Sequence, residues 1–219
     1  ETANGLAINS EGMLILCQHG DRRLAVVKQL QGVSANFETL IDNYQGLLLN
    51  SPNDLTIAKD GCIFFTDPPF GFFDLKSSTF VETEMKELDF NGVYKYNPKS
   101  KEITLITNLI DLPNGIALSL NQKTLYVNKM GILDKHPKII KIDLKTQKIE
   151  TLLDGKYMAE KYQGYFDGMK VHSSGLIFTS GPGGLLIVSA QGKLMGKNDF
   201  GHITNCAFDN DEKYLYATG

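Results

Sequence analysis

One pattern returns five times along the chain and limits what it can fold into. An Asn or Asp opens a short apolar run, a polar turn follows, and a second apolar run comes back. The openings are Asn4-Gly5-Leu6, Asn53-Asp54-Leu55, Asn114-Gly115-Ile116, Asp167-Gly168-Met169 and Asn205-Cys206-Ala207. The turns are Ser10-Glu11-Gly12, Lys59-Asp60-Gly61, Asn121-Gln122-Lys123, Ser173-Ser174-Gly175 and Asn210-Asp211-Glu212. A period of roughly 40–60 residues built from short β-type runs is the mark of a repeat architecture, and it is read before any single element.

Between openings the pattern continues as strand. Residues 4–9, 13–18, Arg23 to Lys28 and Asn36 to Ile41 read as one set of four. Cys62 to Asp67, Gly92 to Tyr96 and Glu102 to Ile106 continue the second, and Pro68-Pro69 ends its return strand because proline has no ladder donor. Lys138 to Asp143 and Ile149 to Leu153 are the outer strands of the third, and Leu176 to Ser180 and Leu185 to Ser189 belong to the fourth. No convincing helix is expected. Four antiparallel strands per unit predict β-propeller blades. A plain β-sandwich also gives evenly spaced strands, but it offers no reason for the same residue type to open every unit. The expectation is a single all-β domain over residues 1–219, holding about four complete blades plus half a blade, with closing sequence missing at both ends. A long excursion from Phe70 to about Asn91 carries Glu82, Glu84 and Glu87 and is a candidate lid or substrate contact.

Composition narrows the partners. A net charge of -3 with no basic run gives no support to nucleic-acid binding. No apolar stretch reaches membrane-span length. Cys17, Cys62 and Cys206 are scattered without a C-x-x-C pair, which predicts buried, reduced thiols rather than a zinc site or a disulfide framework.

In a blade the innermost strand lines the central channel, so residues that open that strand share one mouth. Asn53, Asn114 and Asp167 would bring two amide oxygens and a carboxylate, a donor set suited to a hard cation of the calcium type. The return strand is antiparallel, so its last residues reach the same end. That places His19, Asp67, Asn128 and Ser180 at the mouth as well. Plainer readings stand beside this one. Asn-Gly and Asp-Gly are ordinary turn pairs, His19 fits a solvated loop, and the three Glu fit a solvated face. His136, His172 and His202 have no metal-ligand spacing.

These residues together resemble the gluconolactonase / senescence marker protein (regucalcin-like) family. The resemblance is carried by Ser51-Pro52-Asn53-Asp54, Phe65-Thr66-Asp67-Pro68-Pro69-Phe70-Gly71, Gly92-Val93-Tyr94, Pro113-Asn114-Gly115-Ile116-Ala117-Leu118-Ser119 and Phe166-Asp167-Gly168-Met169. Gln18-His19-Gly20-Asp21-Arg22-Arg23 and Thr204-Asn205-Cys206-Ala207-Phe208 fit its gluconolactonase branch. The resemblance implies a six-bladed β-propeller with one catalytic divalent cation, usually Ca2+ and otherwise Zn2+, Mn2+ or Mg2+. It implies Asn53, Asn114 and Asp167 as ligands beside a Glu whose motif lies upstream of Glu1. Ser51-Pro52 stands where animal members carry an Arg.

The resemblance further implies a carboxylic-ester hydrolase that opens a sugar lactone such as D-glucono-1,5-lactone. Asp167 would be both ligand and proton acceptor, and His19, Asp67 and Asn128 would contact the sugar hydroxyls. Rival expectations keep the fold: another lactone or an organophosphate ester as substrate, or a non-catalytic calcium- or ligand-binding propeller. The partners expected are a small-molecule sugar lactone, with neither nucleic acid nor membrane. The compartment expected is cytoplasmic, with a periplasmic or secreted location left open by the start of the chain.

Overall fold

The computed structural model describes every residue except 1, 32, 33, 75, 78, 82 and 200, so Glu1 and Glu82 lie outside the described residues. The chain falls into two compact units, Glu1–Ile110 and Asp111–Gly219. Both are built of antiparallel, propeller-type blades.

The first unit opens with β1 (Ala3–Ile8), β2 (Leu14–Gln18), β3 (Arg23–Gln31) and β4 (Ser34–Ile41), paired in that order as an antiparallel meander. A small hairpin of β5 (Asn43–Tyr44) and β6 (Leu47–Leu48) follows. The second blade runs β7 (Leu55–Ile57), β8 (Ile63–Asp67), then β11 (Gly92–Asn97) and β12 (Glu102–Thr107). The hairpin β9 (Phe73–Asp74) with β10 (Thr79–Phe80) is inserted between β8 and β11. β8 stops at Asp67, directly before Pro68-Pro69. A buried core of Ile15, Leu24, Val26, Leu55, Ile63, Phe65 and Tyr94 is shared by the two blades.

The second unit repeats the plan. β13 (Pro113–Leu118), β14 (Thr124–Lys129), β15 (Lys138–Asp143) and β16 (Ile149–Asp154) form one meander. β17 (Met169–Val171), β18 (Ile177–Gly181), β19 (Gly184–Val188) and β20 (Leu194–Asn198) form the next, followed by the pair β21 (Asn205–Phe208) and β22 (Leu215–Thr218). Ile139, Phe166, Met169, Ile177, Leu186 and Val188 fill its core.

Two features depart from the sequence expectation. A short helix, α1 (Lys156–Lys161), joins β16 to the fourth blade, with Gly155 at its N-cap. Six residues are too few to display a helical period, so no pattern announces it. The 70–91 excursion also has structure of its own: a 3-10 turn at Phe70–Phe72, the β9–β10 hairpin, and Phe80 packed on Phe70 and Phe73. Cys17, Cys62 and Cys206 are all buried, and none is in a disulfide among the described residues.

The Asn-Gly pairs are not turns. In β1, Ala3 pairs Gln18 while Leu6 pairs Leu16, so the inner strand carries one residue more than its return strand across Asn4-Gly5. The same bulge falls on Asn114-Gly115, between the Pro113–Lys129 and Ile116–Val127 pairs. Freed from the blade's own ladder, Gly5 donates its N–H to the Asn53 carbonyl of the next inner strand at 2.7 Å. Gly115 does the same to the Asp167 carbonyl at 2.9 Å. Glycine is required by closeness, not by torsion: a Cβ on Gly115 would sit 2.1 Å from the Asp167 carbonyl oxygen, and one on Gly5 would sit 2.6 Å from Asp54 Cα.

Candidate active site

In the first unit the site residues gather around Asn53. It is almost fully buried, and its N–H donates to the Thr66 carbonyl at 2.9 Å across the β7–β8 hairpin. His19, one residue past β2, is half-buried. Its Nε2 lies 3.4 Å from the Asn4 amide nitrogen and 3.5 Å from that of Asn53. Burial pushes the His19 imidazole below its usual range, which favours the neutral ring. A neutral ring facing two amide NH2 groups through Nε2 is an acceptor there, which assigns its proton to Nδ1. The antiparallel return strand thus brings His19 to the opening Asn of both its own blade and the next, as the topology predicts.

Asp67 ends β8 and is fully buried. Its two carboxylate oxygens accept the backbone N–H groups of Asn50 and Ser51, each at 2.8 Å. Burial pushes its carboxyl up to about 7, against the opposing pull of those two N–H bonds and of the Arg22 and Lys86 charges. Asp67 therefore reaches the mouth through the segment that leads into Asn53. Ser51 extends the arrangement: its hydroxyl donates to the Pro68 carbonyl at 2.6 Å and accepts the Gly71 N–H at 2.8 Å.

In the second unit Asn114 and Asp167 open neighbouring inner strands. Asn114 is almost fully buried and Asp167 half-buried. The Asp167 main chain is gripped from several sides. Its N–H donates to the Ser180 hydroxyl at 2.8 Å, and its carbonyl accepts both the Gly115 N–H at 2.9 Å and the Asn128 amide at 2.6 Å. Asn128 is fully buried, and its amide also donates to the Thr179 hydroxyl at 2.9 Å. The Asn128 Oδ1 is buried and has no hydrogen bond among the described residues. A buried acceptor left without a donor is costly, and it marks this end of β14 as a place where an electropositive group would be welcome.

The donors at the strand openings are amides with a single carboxylate. Among the described residues no three His, Cys, Asp or Glu side chains gather into a metal-binding cluster. Asn oxygens at the strand openings suit a hard, oxygen-seeking ion such as Ca2+ better than a thiolate- or imidazole-seeking one. The donor chemistry and the orphaned Asn128 oxygen both fit such an ion.

Sequence reasoning did not single out Asn50, Ser51 as an acceptor, or Thr179. Each works through a main-chain or hydroxyl contact between segments distant in sequence, and no local pattern carries that information. Of the remaining histidines, His136 pairs with Asp154 and His172 with Glu212 near the surface.

Blades whose inner strands open on an Asn or Asp, exposed at Asn4, half-buried at Asp167 and Asn205 and almost fully buried at Asn53 and Asn114, define a propeller-type protein. The comparisons narrow that class. The chain belongs to the family of the SMP-30/Gluconolactonase/LRE-like region, which it matches over residues 1–219. It is 30% identical over 225 residues to a gluconolactonase of Zymomonas mobilis, covering 99% of this chain and 60% of that protein. A lactonohydrolase of Aspergillus oryzae matches at 29% over 102 residues, or 47% of this chain and 22% of that protein. Among solved structures, a gluconolactonase from Xanthomonas campestris superposes with a TM-score of 0.83 at 28% identity, covering 99% of this chain and 69% of that one. A luciferin-regenerating enzyme, 18% identical, shares the fold with a TM-score of 0.74, covering 100% of this chain and 70% of that one. The chain thus spans less than two thirds of the length of the curated relatives named here. Among the described residues no helix is long and apolar enough to cross a membrane.

Proposed function

We propose that residues 1–219 belong to one six-bladed propeller domain that hydrolyses a sugar lactone such as D-glucono-1,5-lactone to the aldonic acid. The reading rests on one observation above the others. In each unit one opening residue is tied by its carbonyl to the glycine N–H of the preceding inner strand, Asn53 to Gly5 and Asp167 to Gly115. Within each unit that seam ties two successive openings together, which supports ligation by strand openings. The 30% identity to a gluconolactonase across nearly the whole chain supports the substrate class.

Asn53, Asn114 and Asp167 would hold one divalent cation, Ca2+ by donor type. When bound, that ion supplies Lewis acidity at the lactone carbonyl. The chain's own groups do the rest. Asp167 accepts the proton of the attacking water at its carboxylate, a weak base whose efficiency comes from placement more than from basicity. Asn128, Ser180 and Gly115 fix the Asp167 backbone so that its carboxylate has few orientations to sample. His19 turns the Asn53 amide nitrogen toward itself, which leaves Oδ1 as the ligand atom, and its exposed edge is the sugar contact of the first unit. Asp67, being buried, positions Asn50 and Ser51 ahead of Asn53.

A pH-indicator assay on D-glucono-1,5-lactone, with and without a chelator, tests this directly. Turnover is expected to need a divalent cation. Asp167→Asn is expected to lose about 10²–10⁴-fold in kcat, the range typical of a positioned proton acceptor. Near-wild-type turnover by a cation-replete Asp167→Asn variant would overturn the assignment.

A further inference from the structure

The run from Leu48 to Ser51 delivers Asn53, and charged side chains hold most of its backbone. The Leu48 N–H donates to Glu87 Oε2 at 2.7 Å. The Leu48 and Leu49 carbonyls accept from the Arg22 guanidinium at 3.2 Å and 2.6 Å. The Asn50 and Ser51 N–H groups go to Asp67. The Leu49 N–H alone uses a main-chain partner, the Asp42 carbonyl at 2.9 Å. The backbone hydrogen bonds of this run are thus met mainly by the guanidinium and carboxyl groups of three residues distant in sequence.

Arg22 is the hub. Its third hydrogen bond goes to the Met85 carbonyl, and its guanidinium carbon lies 5.3 Å from the centre of the Phe72 ring. Both partners belong to the 70–91 excursion. Arg22 and Glu87 therefore clamp that excursion to the 48–49 backbone from both polarities, one reaching carbonyls and the other an N–H. Arg22 also sits at φ 55, a left-handed conformation that L-residues rarely adopt, closing a turn in which its N–H donates to the His19 carbonyl at 3.2 Å. The turn that presents His19 and the clamp that holds the excursion thus share one residue. A lysine could not replace it, because one ammonium cannot serve carbonyls in three directions as a planar fork can.

We propose that Arg22 is a positioning residue that latches the 70–91 excursion to the approach of Asn53 and so shapes the substrate mouth. This rests on the lactonase reading for its kinetic consequence but not for its structural one. Hydrogen exchange over residues 45–51 and 83–87, in wild type, Arg22→Ala, Arg22→Lys and Glu87→Gln, tests the latch without substrate. Arg22→Ala is expected to speed exchange of these amides about tenfold while the amides of β14 and β15 keep their protection. Arg22→Lys should behave similarly, and Glu87→Gln should show a smaller effect at Leu48. In the lactone assay Arg22→Ala is expected to raise KM about tenfold with kcat changed less than about threefold, and added methylguanidinium should restore KM. Unchanged exchange in both Arg22 variants overturns the latch, and loosened exchange with unchanged KM overturns its role at the mouth. A wild-type protein inactive on every lactone would sink the lactonase reading, while the exchange data would still decide the latch.

Discussion

Asp67 meets opposing demands. Its burial disfavours charge, while its two backbone partners favour it. Burial wins, and the carboxyl rises from an ordinary 3.8 to about 7. With the folded value above the unfolded one, the folded protein binds the extra proton, and the stability gained is lost as pH climbs from about 4 to about 7. A shift of that size corresponds to roughly 4 kcal/mol. Asp67→Asn stays neutral throughout but turns an amide NH2 toward one of the two N–H donors, at a pH-independent cost of about 1–3 kcal/mol. Denaturant unfolding of both proteins at pH 5 and pH 7.5 should show wild type losing ground to Asp67→Asn as pH rises. A pH-independent difference would show that Asp67 titrates normally. At this scale the sequence was legible where a residue type recurs: Asn53, Asn114 and Asp167 stand out because each opens a unit. Asp67 and Asn128 were visible as strand ends, but both are fully buried. That they hold main chain depends on contacts with Ser51 and Asp167 that no local pattern encodes.

Among the elements, the seam between inner strands carries the most consequence. Gly115→Ala would drive a methyl group to 2.1 Å from the Asp167 carbonyl, and the bulge around Asn114 would have to move. The expected cost is about 1–3 kcal/mol, the usual range for forced overpacking. Activity should fall beyond what stability explains, because the same contact sets the Asp167 backbone. Thermal unfolding and kcat on the same preparation check both. Gly12→Ala offers a control, since the space around that turn glycine is open, although its φ of 77 still brings strain. The blade strands were legible because they alternate or run apolar between clear turn signals. The helix Lys156–Lys161 was not, and neither was the β5–β6 hairpin, because a six-residue helix spans under two turns and two-residue strands show no alternation. The Asn-Gly pairs read as strand openings, with a turn as the plainer alternative. As dipeptides they spell a turn, yet here they mark bulges where one blade's backbone reaches the next.

For the molecule as a whole, the proposed cation site would link ion binding to folding. An ion that binds only folded protein raises its stability by about 2.7 kcal/mol at a hundred times its Kd. Ca2+ should therefore raise the melting temperature over that in chelator, and Asn114→Ala should remove most of the rise. A melting temperature indifferent to Ca2+, Mn2+, Zn2+ and Mg2+ would count against the cation site. The fold class was legible from periodicity alone, and the family from motifs in their order. The assignment of individual oxygens needed the bulges and cross-strand contacts. The way Asp167 is anchored also governs what laboratory variants at that position can mean. Ser180, Gly115 and Asn128 grasp its peptide atoms. Swapping a single side-chain oxygen for nitrogen leaves those handholds intact, so a silent enzyme would register lost chemistry rather than a collapsed scaffold.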